Sequence, residues 1–150
     1  LLVGDNELVI KELEKSHSRD FITPNGNKVS FFGFIDRIDQ LNGITRILDY
    51  KSGSVNQAEL RKTPNNVENL LKDYTGAKAI QLAMYAYMMD YKQAKTGIYP
   101  LRYFSKDIHY LEWEKNDLLS VDDLEPILTQ VGYLIDEILN PEIPFQELEA

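Results

Sequence analysis

Three side chains that can act together in catalysis, Asp36, Asp49 and Lys51, lie in the stretch GFIDRIDQLNGITRILDYKSG at residues 33–53. The Asn-Gly pair at 42–43 is the strongest short sequence signal for a β-hairpin with a two-residue turn. In that register Asp36 lies opposite Asp49, and Lys51 shares the face of Asp49 because strand side chains alternate. We therefore expect the three side chains to lie on one face of the hairpin.

An opposed pair of aspartates in a sheet favours a bound cation. Two carboxylates about 5 Å apart repel by roughly 3 kcal/mol at an effective dielectric constant of about 20. Lys51 can offset part of this repulsion, but a divalent cation does so better, and carboxylate oxygens suit Mg²⁺ or Mn²⁺. Two alternatives stay open: a solvated, frayed end of the hairpin, or a one-residue slip in register that moves Asp36 to the other face.

A metal ion and a lysine on one face are suited to phosphodiester hydrolysis. The metal polarises the phosphate and lowers the pKa of a bound water. The lysine, a compact point charge, holds or activates that water and stabilises the charge that develops on phosphorus. The pair of Asp39 and Arg46, which are opposed in the same register, is interpreted as an ordinary structural salt bridge.

The elements that must position these residues are strands mixed with helices. Segments rich in β-branched and aromatic residues predict strands at 8–15, 28–39, 44–51, 98–104 and 108–113. Turns are predicted at 23–27 and 105–107, and a polar loop at 52–66. Helices are predicted at 67–72, 77–92 and 124–139. This order predicts an α/β fold with a central mixed β-sheet flanked by helices, and not the repeated βαβ units of a Rossmann fold.

The spacing of apolar residues also predicts which face of each longer helix is buried. The predicted core face of the first consists of Ala77, Ile80, Met84, Tyr87 and Tyr91. The predicted core face of the second consists of Ile127, Val131, Leu134, Ile135 and Ile138.

Composition narrows the class of protein. The 150 residues, 43% of them hydrophobic, fit one globular domain with its own core. No apolar run is long enough to span a membrane, and the first residues do not form a signal peptide. The net charge of -8 argues against an extended basic surface for nucleic acid, but not against local phosphate contacts. The absence of cysteine excludes disulfides within the chain and favours a cytoplasmic protein.

The motifs resemble those of the PD-(D/E)XK nuclease superfamily, specifically its RecB-like exonuclease branch with the AddA and AddB nuclease domains. That branch carries G-x-[IV]-D-R-[IV]-D, a hairpin and D-Y-K-[ST]-G, and here GFIDRID occupies 33–39 and DYKSG occupies 49–53. It also carries Q-x-x-x-Y on a helix, and QLAMY occupies 81–85. The similarity runs from about residue 13 to residue 145 and implies a restriction-endonuclease-like core.

The resemblance implies a role for each matching position. Asp36 and Asp49 would bind Mg²⁺ or Mn²⁺ together with the backbone carbonyl of Tyr50, and Lys51 would be the catalytic lysine. Gln81 and Tyr85 would line the site and contact the substrate, since they lie one turn apart on one helix face.

Further roles are less well defined by the motifs. Relatives carry another acid on the preceding strand, and Glu14 is expected to fill this position. Glu12 stays an alternative, because residues two apart in a strand point to the same face. A solvent-facing role also stays open for both glutamates. Cations near the hairpin are expected to contact phosphate, although an ordinary surface role stays open for each: Arg37, Arg61, Lys62, Lys72 and Lys78.

The implied function is that of a Mg²⁺-dependent DNA nuclease, an exonuclease domain of a repair or recombination helicase–nuclease. Water activated by the metal would hydrolyse the phosphodiester without a covalent intermediate. The expected partners are DNA and helicase domains or subunits of a larger complex. Two alternatives stay open: a catalytically inactive nuclease-fold module that binds DNA or a protein, and an unrelated metal-dependent hydrolase of small phosphoesters, which no Gly-rich phosphate loop supports.

Two features of relatives lie outside the sequence. Full-length relatives carry a metal-binding histidine on a first helix, and several hold an iron–sulfur cluster through cysteines after a segment like that at 141–145. The chain also lacks an initiator methionine, so we expect a fragment of a larger protein without the first helix and the C-terminal end. A cluster is expected only if cysteines lie outside this chain. His17 and His109 are interpreted as surface or packing residues.

Overall fold

Eight strands and two α-helices form the fold in a computed structural model that describes residues 2–3, 6–72, 74–102 and 107–145. The strands are β1 (Leu2–Val3), β2 (Asn6–Ile22), β3 (Lys28–Leu41), β4 (Ile44–Lys51), β5 (Arg61–Lys62), β6 (Lys95–Pro100), β7 (His109–Tyr110) and β8 (Glu112–Trp113). The helices are α1 (Ala77–Met89) and α2 (Glu125–Leu139). Short 3₁₀ turns occur at Gln57–Leu60, Val67–Asn69, Tyr74–Gly76 and Asp122–Leu124.

The main sheet is mixed and has the strand order β1-β2-β3-β4-β6-β7. Its neighbours are antiparallel except for β4 and β6, which run parallel and are connected through α1. A parallel pair of β5 and β8 forms a small second sheet. α1 packs on strands β2, β3, β4 and β6 and also contacts α2. The predicted α/β fold, a mixed sheet flanked by helices, is therefore confirmed.

The hairpin of β3 and β4 has the predicted register. Asn42 and Gly43 both have positive φ, 53° and 80°, which a tight two-residue turn of the primed type requires. Asp39 pairs with Arg46, and the register extends to Arg37 opposite Leu48. Among the described residues, the ladder between β3 and β4 ends at that pair, next to Asp36 and Asp49.

The hairpin of β2 and β3 is much longer than the sequence predicts. β2 has 17 residues, and it continues to Ile22 because the whole length of β3 offers it backbone partners. Residues 28–35 of β3 have no partner in β4 among the described residues, so they form with residues 15–22 a two-stranded projection, here termed the hairpin arm. α1 packs against this arm.

A carboxylate of α2 holds the turn of the arm. Asp136 accepts hydrogen bonds from the Thr23 hydroxyl, from the Asn25 backbone N–H at 2.9 Å and from the Asn27 side chain at 2.8 Å. These bonds lower the pKa of Asp136 against the effect of burial. The turn predicted at 23–27 is thus present, and it is fastened to the second helix.

The predicted core face of α1 needs correction. The helix ends at Met89, followed by Asp90 in the left-handed conformation, and not at residue 92. The residues that it buries are Ala79, Leu82, Ala83, Ala86 and Met88. Of the predicted face, Ala77 is exposed and Ile80, Met84, Tyr87 and Tyr91 are half-buried against the core. The helix is apolar on most sides, so spacing alone does not select its core stripe, and the alanines allow a close approach to the sheet.

The remaining boundaries differ in smaller ways. α2 buries Ile127 and Val131 as predicted, but Ile138 is 49% exposed because the last turn extends past the core. The helix predicted at 67–72 is only a 3₁₀ turn, and the loop at 52–66 contains β5. Residues 103–106, with most of the turn predicted at 105–107, lie outside the described residues. In the described part of the chain, neither helix is sufficiently long and apolar to cross a membrane.

Candidate active site

The end of the β3–β4 ladder brings Asp36 against the backbone of β4. Its Oδ2 accepts a hydrogen bond from the Tyr50 backbone N–H at 2.7 Å, so the side chain takes the place of a strand partner there. The N–H and C=O of one strand residue point to the same side. The Tyr50 carbonyl is therefore directed to the side of β4 on which Asp36 lies.

Asp49 is a buried carboxylate between an acid and a cation. The residue is 5% exposed, and its Oδ2 lies 2.9 Å from the Nζ of Lys51. Despite this ion pair, Oδ2 has no hydrogen-bond partner of acceptable geometry in the described part of the chain. Burial raises the pKa of Asp49, Lys51 opposes the rise, and the charge of Asp36 adds to it. The site thus concentrates negative charge that its own lysine does not fully neutralise.

A chain of hydrogen bonds links this lysine to α1. The Nζ of Lys51 donates to Gln81 Oε1 at 3.0 Å, and Gln81 Nε2 donates to the Tyr85 hydroxyl at 3.0 Å. Burial, and then the charge of Asp49, raises the pKa of Tyr85. The phenol therefore stays protonated at neutral pH. The structure brings together Asp36, Asp49, Lys51, Gln81 and Tyr85, although their roles in catalysis stay predictions.

An open groove of about 680 Å³ leads to Lys51 between α1 and the hairpin arm. It is lined by Phe32, Gly33, Lys51, Ala77, Lys78, Ile80, Gln81, Met84, Tyr85 and Met88. A Cβ atom at Gly33 would lie 3.4 Å from the Tyr85 ring, so a glycine lets strand and helix approach closely. The sequence analysis missed this groove because residues distant along the chain form its two walls.

The expected third acid does not complete a metal-binding group within the described residues. Glu14 is an exposed residue of β2 with a positive φ of 50°. Glu12 instead contacts His17, with Oε2 2.8 Å from the ring Nε2, and Lys15 at 3.9 Å. No group of three or more His, Cys, Asp and Glu side chains that could hold a metal occurs in the described ranges. A role for either glutamate stays a prediction.

Arg37 lies on the opposite face of the sheet from Asp36. Its guanidinium contacts the fully buried Asp39, with Nη2 at 2.7 Å from Oδ2, and Arg46 binds the same carboxylate with Nε at 2.7 Å. Burial by itself lowers the pKa of Arg37. Hydrogen bonds to the Tyr50 hydroxyl and to Asp39 outweigh this effect and raise the pKa. The salt bridge predicted for Asp39 and Arg46 is present, whereas the structure does not bring Arg37 to the groove.

The other cations expected at phosphate differ in position. Lys78 lines the groove, with its Nζ 3.3 Å from Glu59, and Arg61 lies 3.4 Å from Glu112. Lys72 is exposed and Lys62 is buried. His109 contacts Gln57 at 3.1 Å, in keeping with the packing role expected for it.

A comparison with protein families identifies the class of protein that this fold and site define. A family model described as the PD-(D/E)XK nuclease superfamily matches residues 5–150, and the chain belongs to this superfamily. Its mixed sheet flanked by helices is consistent with the restriction-endonuclease-like fold. Members are typically nucleases and generally use divalent metal ions such as Mg²⁺. No curated protein and no solved structure matched the chain.

The residues present fit such a metal ion. Asp36 and Asp49 supply hard oxygen donors from neighbouring positions, and the Tyr50 carbonyl is directed to the same side. The buried Asp49 Oδ2 that lacks a well-formed hydrogen bond is the atom a cation would satisfy. The donor chemistry thus agrees with the metals that the superfamily generally uses.

Proposed function

We propose that the chain is a Mg²⁺- or Mn²⁺-dependent deoxyribonuclease that hydrolyses phosphodiester bonds. One observation carries the proposal: the buried Asp49 contacts Lys51, which hydrogen-bonds Gln81 at the end of an open groove. A structural ion pair needs no second carboxylate beside it, yet Asp36 lies there and raises the pKa of Asp49 further. Membership of a nuclease superfamily supports the same reading.

On this proposal each side chain has a task that agrees with its position. Asp36, Asp49 and the Tyr50 carbonyl would hold the metal, which when bound polarises the phosphate and lowers the pKa of the attacking water. Lys51, fixed between Asp49 and Gln81, directs its remaining N–H bonds at the oxygens on which charge develops.

Tyr85 completes the polar wall of the groove. Its hydroxyl accepts from Gln81 and keeps its own proton, because burial and the charge of Asp49 raise its pKa. That proton is free to bind a phosphate oxygen of the substrate. Gln81 is therefore a positioning residue, since it orients both the lysine and the phenol.

We extend the proposal to the biological setting through the motifs. The order G-x-[IV]-D-R-[IV]-D, D-Y-K-[ST]-G and Q-x-x-x-Y supports a RecB-like exonuclease domain of a DNA repair or recombination helicase–nuclease. The partners would be DNA and helicase domains or subunits, in the cytoplasm. An iron–sulfur cluster would require cysteines outside this chain.

Cleavage of labelled DNA tests the proposed activity. Single-stranded and duplex oligonucleotides are incubated with Mg²⁺, Mn²⁺ or EDTA, and product is quantified on denaturing gels. We expect metal-dependent cleavage that Lys51→Ala lowers at least about 100-fold, as loss of one preorganised charge typically does. Lys95→Ala is the matched control, because Lys95 is similarly half-buried and ion-paired, to Asp117 at 3.6 Å, away from the groove.

Calorimetric titration with Mn²⁺ separates binding from chemistry. Asp49→Asn is expected to lose binding, whereas Asp117→Asn and Lys51→Ala retain it. Unchanged Mn²⁺ affinity in Asp49→Asn contradicts the site. DNA binding without cleavage by the wild-type protein under every metal condition would instead support the alternative function, an inactive nuclease-fold module.

A further inference from the structure

Two large aromatic side chains of the hairpin arm lie exposed on the face away from α1. Phe32 is 66% and Phe34 is 61% exposed, and their rings meet edge to face with centroids 5.8 Å apart. Their neighbours Phe31 and Ile35 are buried in the core, as strand alternation requires. Leaving a contiguous aromatic pair in water is unfavourable, and such a patch marks an interaction site.

The partner strand leaves these rings uncovered. Phe32 pairs with Ser18 and Phe34 pairs with Ser16, so each ring has a small hydroxyl residue opposite. The buried aromatics of the same arm are arranged differently: Phe21 and Phe31 stack on each other with centroids 4.7 Å apart. The exposed pair therefore offers open ring surface rather than a completed aromatic cluster.

The exposed pair is continuous with the candidate active site. Phe32 lines the same groove as Lys51 and Tyr85, so this groove reaches the residue that begins the aromatic pair. Residues 28–35 of β3 lack a partner in β4 among the described residues. A strand leaving Lys51 can pass around this open edge to the outer face without crossing the sheet.

We infer that Phe32 and Phe34 form a platform on which unpaired bases of the bound DNA strand stack, next to the backbone segment held at Lys51. Every base has a π face, and exposed aromatic residues beside a backbone-binding groove are a recurring way to bind unpaired strands. The side chains of Lys15 and Lys28, 63% and 67% exposed, lie on the same arm, where Glu12 is 3.9 Å and Asp20 is 3.2 Å away from them. Ion pairs this exposed are weak, so both lysines can exchange their carboxylate for a phosphate. The inference rests on the proposed function for the path of the backbone, whereas stacking itself is measurable without cleavage.

Fluorescence anisotropy with a labelled oligothymidylate and an abasic oligonucleotide of equal length tests the platform. Ca²⁺ replaces Mg²⁺ so that binding is measured without cleavage. We expect the wild-type protein to bind the base-bearing strand more tightly, and Phe32→Ala or Phe34→Ala to raise its Kd by roughly 5- to 150-fold. Affinity for the abasic strand should change little, because it has no bases to stack.

Matched variants separate stacking from apolar contact. Ile22→Ala is the control, since Ile22 is an equally exposed apolar residue of the arm without a ring. Phe32→Trp should retain binding, and Phe32→Leu should lose it although it keeps apolar surface. Circular dichroism checks that each variant is folded. We expect all of them to fold, because the substituted side chains are exposed.

The outcomes distinguish this inference from the nuclease proposal. Equal wild-type affinity for both strands, no binding to either, full affinity in Phe32→Leu, or a Phe-dependent dimer in sedimentation would each overturn the platform. Base-dependent binding that the alanine variants lose would support it even if metal-dependent cleavage were absent. Cleavage that persists with unchanged kinetics in both alanine variants would leave the nuclease proposal standing and remove the platform.

Discussion

Replacing Asp49 by Asn is expected to stabilise the protein in the absence of metal. The carboxylate is buried beside Asp36, and burial and the Asp36 charge together raise its pKa despite Lys51. A raised carboxylate pKa means that the ionised form is less favourable in the folded than in the unfolded chain. The neutral isostere removes that penalty and retains the shape of the side chain.

The size of the effect follows from three opposing contributions. Repulsion from Asp36 costs about 3 kcal/mol at the spacing of about 5 Å that is general for opposed strand residues, with an effective dielectric constant of about 20. Burial costs several kcal/mol more. Lys51, 2.9 Å away, contributes about 6 kcal/mol of attraction on the same scale before solvent screening. The raised pKa of Asp49 has the sign expected when the costs exceed the attraction, so we expect Asn to add about 1–2 kcal/mol to the free energy of unfolding.

Urea denaturation in EDTA across a pH series measures this difference. Wild-type stability should fall as the pH rises from about 3.9, the ordinary Asp pKa, through the raised pKa of Asp49 in the folded protein. The variant lacks this dependence, so its advantage should be full at pH 7 and should disappear near pH 4. At a Mn²⁺ concentration about 100 times Kd the order should reverse, because binding adds about 2.7 kcal/mol to the wild type alone.

Two results would refute this reasoning. A less stable Asp49→Asn protein at pH 7 in EDTA would mean that the ion pair with Lys51 outweighs burial and repulsion. A stabilisation that persists unchanged at pH 4 would show that it does not arise from the carboxylate charge. Asp117→Asn, which removes an acid from a more exposed ion pair, is the control and should change stability by less than about 1 kcal/mol.

Three further substitutions test the surrounding structure. Gln81→Ala should lower kcat about 10-fold with unchanged Mn²⁺ affinity, because Lys51 loses its orientation but the metal donors remain; equal kcat would exclude a positioning role. Asp39→Asn should cost about 3–5 kcal/mol in urea denaturation, since it leaves Arg46 buried without its carboxylate, and a loss below about 1 kcal/mol would contradict this. Asp136→Ala should lower Tm more at pH 7 than below the depressed pKa of this acid, where the wild type has lost the contribution of the carboxylate charge. A Tm difference that stays constant with pH would show that the charge of Asp136 is unimportant.

Local sequence determined the hairpin of β3 and β4. An Asn-Gly turn accommodates two positive φ values, and once it fixes the pairing, period-two alternation assigns every side chain of both strands to a face. The opposition of Asp39 and Arg46 and the proximity of Asp49 to Lys51 follow without any knowledge of the rest of the molecule. The spacing of Gln81 and Tyr85 likewise placed them on one helix face.

Tertiary packing decided the contacts between elements, which the local pattern of polar and apolar residues leaves undetermined. The buried stripe of α1 includes Ala79, Ala83 and Ala86, which the spacing of its larger apolar residues did not select. Alternation puts Arg37 on the face opposite Asp36, and the fold adds the buried Asp39 that binds its guanidinium there. A carboxylate on α2, distant along the chain, fastens the turn of the hairpin arm.

The sequence by itself therefore determined which ionisable groups the hairpin brings together, because that depends on residue type and short-range register. Only the tertiary structure decided the surroundings: the contact of Lys51 with α1, the groove beside it and the exposed aromatic pair at its edge. These features depend on how segments distant in the chain pack, and burial rewards many alternative arrangements of apolar residues nearly equally. Selecting among them requires the complete set of contacts, which no short stretch of sequence contains.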